Sequence, residues 1–148
     1  MMEDTLQQID NIETQKEVER KLRQYRTYIL TVPERKTPKV TVNYTLEMPN
    51  FSLERHSSTE ATAIENVDLS VEREKFFHWI AKGLRKLNNV ERKIIVLKYL
   101  QMEPMYNYEI YSELQMSESK FYRHRAKALY KLALALGIEK YTDKEHTA

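Results

Sequence analysis

The chain has no cysteine and only two glycines, Gly83 and Gly137, among its 148 residues. Without thiols it can build neither a disulfide nor a thiolate metal site, and a reducing cytoplasm is the natural expectation. Two isolated glycines cannot form the phosphate-cradling GxGxxG or GxxxxGK[ST] loops. No apolar run approaches the length of a membrane span, and the polar N-terminus does not resemble a signal peptide. The four histidines, His56, His78, His124 and His146, lack metal-ligand spacing. No carboxylate pairs with a nucleophile or a base, so no hydrolase constellation emerges. These absences together lead to an expectation of no enzyme activity, no cofactor, no metal and no membrane contact.

What the chain has is charge. Charged residues make up 31% of it, yet the formal net charge is only +2. Distribution therefore matters more than the sum. From Lys120 to Lys131 the bases are Lys120, Arg123, Arg125, Lys127 and Lys131, with no acidic residue among them. Much of the compensating acid lies near the N-terminus, at Glu3, Asp4, Asp10, Glu13, Glu17 and Glu19.

Apolar spacing of three and four predicts a helix from about Leu6 to Thr31, through Leu6, Ile9, Ile12, Val18, Leu22, Tyr25 and Ile29. Glu13 with Lys16, and Glu17 with Lys21, are spaced to pair along it. Val32-Pro33 ends it, because a residue before proline avoids the helical region. Residues 34–57 carry Pro38 and Pro49 and an alternating, β-branched run from Val40 to Leu46. That run reads as an isolated strand in a linker or docking arm. Ser57 and Glu60 have capping-box spacing. They start a helix over much of Thr59 to Leu87, with a break near Asp68 to Ser70 and a stripe of Phe76, Phe77, Ile80, Leu84 and Leu87. Trp79, beside Phe76 and Phe77, reads as core or interface. Asn88 and Glu91 repeat the cap spacing and open a helix from Asn89 to Leu100.

The segment from Asn107 to Leu132 holds the strongest pattern. A short helix with Ile110 and Leu114 is followed by a break at Gln115-Met116-Ser117 and then a long basic helix capped by Ser117. This order is that of a helix-turn-helix, which places its second helix in the major groove of duplex DNA. Phe121, Ala128 and Leu132 share one face, with Leu129 beside it, and are expected to bury against Ile110, Leu114 and the helix at Val90 to Leu100. Met116 is expected to plug the turn. Lys120, Arg123 and Lys127 share the opposite face, joined by Glu118, Ser119 and Tyr122. Arg123 is spaced to reach a guanine; Arg125, Lys127 and Lys131 are expected at phosphates. Tyr106, Tyr108 and Tyr111, clustered nearby, read as core.

Residues 84–136 resemble region 4 of bacterial sigma factors. The similarity rests on Leu87, Glu91-Arg92, Ile94-Ile95, Leu97, Tyr99, Glu109-Ile110, Leu114, Met116-Ser117, Phe121 and Ala126-Lys127-Ala128-Leu129 with Leu132. Over most of its length the chain resembles the ArpU family of phage transcriptional regulators, through the run from Val18 to Arg26, His56 to Glu60 and Tyr106 to Tyr111. The resemblance implies control of phage late genes, such as packaging and lysis, in the cytoplasm of a bacterial host. It also places the base-reading set at Glu118, Ser119, Lys120, Tyr122 and Arg123. Sigma region 4 commonly has arginine where this chain has Glu118 and Tyr122, which implies a target unlike a standard −35 element. Gln115 stands where glycine is common in such turns.

The expected architecture is all-α. An N-terminal helix and extended proline-bearing arm, residues 1–57, would serve dimerisation or contact with RNA polymerase. A helical DNA-binding domain, residues 58–148, would carry the helix-turn-helix at about 107–136. The alternative is a protein-interaction module, an anti-sigma or RNA polymerase adaptor, whose basic helix docks on an acidic partner.

Overall fold

A computed structural model describes residues 8–49 and 60–142, with backbone alone for 60–68. It is mostly helical, with one two-stranded sheet. The first helix, α1, runs Asn11–Thr31. It starts later than the apolar spacing suggests. Asp10 caps it, its carboxylate accepting the Glu13 N–H at 3.1 Å. The preceding residues are held extended against the other end of the chain. Asp10 N–H donates to the Lys140 carbonyl at 2.8 Å, and Thr142 N–H to that of Gln8 at 2.7 Å. Ile9 therefore bridges to Tyr141 instead of joining the helix. Ile12 faces water at 70% exposure, and Leu6 lies outside the described residues. The stripe Val18, Leu22, Tyr25 and Ile29 is buried. Glu13 pairs with Lys16 as its spacing implies. Glu17, however, pairs with Arg20 at 2.7 Å and not with Lys21.

α1 ends at Val32, whose extended backbone leads into Pro33. The expected lone strand is instead a hairpin. β1 (Lys39–Val40) pairs antiparallel with β2 (Leu46–Glu47), Val40 opposite Leu46. The strand reading fails because the chain reverses inside the β-branched run. Tyr44 takes a positive φ of 59°. The Thr41 hydroxyl binds the Thr45 hydroxyl at 2.8 Å and the Thr45 N–H at 3.1 Å, closing the turn. Nor is the segment a free linker, because Leu46 is 2% exposed and sits in the main core. Arg92 Nε also holds the turn, donating to the Asn43 carbonyl at 3.0 Å.

α2 runs Glu60–Leu84 without the expected break at Asp68 to Ser70. The helix up to Lys82 contains neither proline nor glycine, so nothing local interrupts it. The Ser57–Glu60 cap and His56 lie outside the described residues or side chains. Phe76, Phe77, Ile80, Leu84 and Leu87 are buried. Trp79 packs at the edge of the core, its ring edge-on to Phe76 at 5.7 Å. Gly83 lets α2 approach closely, because a Cβ there would meet Leu136 Cδ2 at 2.6 Å. α3 (Asn89–Ile95) opens with a complete capping box between Asn88 and Glu91, both bonds 2.9 Å. Its continuation, Val96–Leu100, widens into a π turn. α4 (Asn107–Glu113) and α5 (Glu118–Leu136) follow, joined by a tight turn. Gly137, at φ 72°, closes α5 in the left-handed region that glycine tolerates.

Buried residues of α1, β2, α2 and α5 form one cluster with Ile95, Val96 and Leu100. The division expected at residue 57 does not coincide with a division of this core. A second, smaller cluster of Ile94, Leu97, Ile110 and Phe121 seats α4 against α5. No helix among the described residues is long and apolar enough to cross a membrane.

Candidate nucleic-acid interface

The α4–α5 unit is assembled by local chemistry. Ile110 and Phe121, both 0% exposed, meet Ile94 and Leu97 beneath the turn. Leu114 and Met116 pack around them. Met116 N–H donates to the Tyr111 carbonyl at 3.0 Å, and Gln115 N–H to that of Ser112 at 3.1 Å. The Ser117 hydroxyl then accepts the Lys120 N–H at 3.2 Å, starting α5 in a new direction.

Gln115 pays for the turn with a φ of 55°. A left-handed residue that is not glycine costs about 1–2 kcal/mol. The sequence position usual for glycine thus does require positive φ here. We expect Gln115→Gly to raise stability by about 1 kcal/mol, read as a higher urea midpoint at unchanged m-value.

The long basic helix presents two unlike faces. Phe121, Ala128, Leu129 and Leu132 are buried. Glu118, Ser119, Lys120, Tyr122, Arg123 and Lys127 are all exposed. Lys120, Arg123 and Lys127 have no ion pair among the described residues. Tyr122 is held in place, its hydroxyl accepting from Asn107 Nδ2 at 3.2 Å and its ring edge-on to Phe121. That bond fixes the first residue of α4 to the exposed side of α5.

Two of the expected phosphate ligands sit differently. Arg125 points inward, its side chain 16% exposed. It donates to Glu19 Oε2 at 2.8 Å and to the Tyr99 hydroxyl at 2.7 Å, while that hydroxyl donates to the same carboxylate at 2.8 Å. Burial pushes the Tyr99 hydroxyl well above its ordinary pKa. Burial, with Arg125 nearby, lowers the neighbouring Lys98. Arg125 thus braces α5 against α1, its guanidinium turned toward Glu19 and Tyr99 and away from the exposed row of cations. Lys131 is half exposed and pairs with buried Glu91, its Nζ 2.9 Å from Oε2. That carboxylate also completes the α3 capping box. Neither contact was legible in the sequence, since Glu19 stands 106 residues from Arg125 and Glu91 40 from Lys131.

The tyrosines near the turn divide as well. Tyr111 packs on Phe121 as expected of a core residue. Tyr106 and Tyr108 do not: they are 68% and 60% exposed.

Among known proteins, the chain is 33% identical to the phage-related protein Lin1259/Lin1739 of Listeria innocua. That alignment spans 133 residues and covers 90% of this chain and 93% of the relative. The chain belongs to that protein's family. Another member, Protein Gp66 of Listeria phage A118, is 31% identical over 134 residues, with 90% and 92% of the two chains covered. The shared sequence therefore extends far beyond α4 and α5, and takes in most of the helical core that braces them. No family model matches the chain. No solved structure matches it.

Proposed function

We propose that the chain is a sequence-specific double-stranded DNA-binding transcriptional regulator. In this reading α4 and α5 are a helix-turn-helix and α5 enters the major groove. The observation that carries it is the exposed row of Lys120, Arg123 and Lys127 on a helix whose opposite side is buried. DNA recognition needs that division, with one face anchoring the helix while the other offers cations and hydrogen-bond donors. Arg123 reads a base, flanked by Glu118, Ser119, Lys120 and Tyr122. Lys127 meets phosphate. Arg125 and Lys131 brace the helix from behind. Similarity to phage-related proteins agrees with the phage association that the resemblance to the ArpU family implies. That resemblance extends the reading to late genes for packaging and lysis, with RNA polymerase as a further partner.

Nuclease protection across the source phage or prophage genome tests the proposal. It should reveal one or a few discrete protected sites upstream of a late operon. Uniform or absent protection would count against it. Lys127→Ala should weaken all duplexes alike, and the slope of log affinity against log salt should become shallower by about one.

A further inference from the structure

Tyr106 and Tyr108 stand outside both buried clusters. Their rings stack on each other, centroids 5.8 Å apart and planes within 9°. A single exposed aromatic residue needs no explanation, whereas two stacked rings offer a contiguous apolar platform. They flank the start of α4, whose seven residues include no base. Its Glu109 and Glu113 lie one turn apart on a shared side. Both are exposed, and neither has an ion pair among the described residues. Glu109 accepts the Tyr106 backbone N–H at 2.9 Å, which holds its carboxylate at the residue that carries the first ring.

We propose that this face of α4 docks an arginine-bearing segment of a partner protein. A guanidinium can lie flat on a tyrosine ring while its edge binds a carboxylate, a combination that lysine matches poorly. The charge argues against DNA as the occupant. Phosphates would meet two uncompensated carboxylates here, while the cations of α5 lie on a different helix. The inference goes beyond the DNA reading and does not depend on it.

The test is an NMR titration of the full chain with a synthetic glycine–arginine repeat peptide, matched lysine and glutamate peptides, and a DNA duplex. The arginine peptide should shift the Tyr106 and Tyr108 ring signals and the Glu113 amide. Its affinity should exceed that of the lysine peptide at least threefold, and the glutamate peptide should leave these signals in place. The Tyr106→Ala, Tyr108→Ala double variant should bind the arginine peptide at least fivefold more weakly, and Glu113→Gln at least twofold, with the Ile110 and Phe121 signals unchanged. Ring signals that answer to the duplex but not to the arginine peptide would assign the face to DNA and overturn the proposal. So would rings silent to both, or equal affinity for lysine and arginine. Loss of duplex binding with the arginine response intact would sink the functional reading and leave this one standing.

Discussion

We expect Arg123→Ala to abolish most of the preference for the cognate operator over unrelated duplex. A bidentate arginine–guanine contact contributes roughly 1–3 kcal/mol of discrimination, or about 5- to 150-fold in relative affinity. Arg123 is exposed and unpaired among the described residues, so its removal leaves no buried group stranded. Stability should stay within about 0.5 kcal/mol of the parent. The effect is read by competing labelled operator against unlabelled cognate and scrambled duplexes. Discrimination that survives the substitution would move base reading away from this side chain.

Arg125→Ala behaves in the opposite way. It leaves the exposed cationic row untouched and strips Glu19 and Tyr99 of their shared partner. Breaking a largely buried ion pair by removing one member costs about 3–5 kcal/mol, and partial exposure places this one near the low end. Glu19 is 23% exposed and Arg125 16%, so we expect a loss of about 3 kcal/mol in denaturant unfolding. Glu19→Ala should lose a similar amount. The double variant should lose much less than the sum of the two, the signature of a coupled pair. The salt slope of duplex binding should stay at the parent value under conditions where the variant is folded. A slope reduced by about one, with little loss of stability, would restore Arg125 to the phosphate-binding set.

The contrast between these arginines marks the boundary of what the sequence can convey. Local signals were legible. Ser117 caps α5, Asn88 and Glu91 form the expected box, and Phe121, Ala128 and Leu132 are buried at helical spacing. Each depends on residues a few positions apart, whose geometry follows from the helix itself. Arg123 and Arg125 are two residues apart in one basic run, and composition treats them alike. Helical rotation separates their directions, but only the fold brings Glu19 of α1 to meet the second. The hairpin was hidden for a related reason. Val40 and Leu46 lie within one alternating run, and the reversal between them depends on threonine hydroxyl bonds and a positive-φ tyrosine, which do not announce a turn as Asn-Gly would. Tyr106 and Tyr108 look like core residues because aromatics usually are. Their exposure follows from the brevity of α4, which has only Ile110 fully buried.

The same contacts bear on function through rigidity. Glu19, Tyr99 and Arg125 join α1, the π turn and α5, and Lys131 ties α5 to the capped start of α3. The basic face is therefore held from two sides, and the N-terminal helix shares in positioning it.

The central claim is that the exposed row of α5 meets nucleic-acid phosphate and base edges. Its most direct test is duplex affinity measured as a function of salt, using a protected genomic site and a scrambled control. We expect tighter binding to the genomic site and a steep fall in affinity with salt for both, as counterions are released. Absence of duplex binding, or affinity that ignores salt while an acidic protein partner competes for the same row, would contradict it.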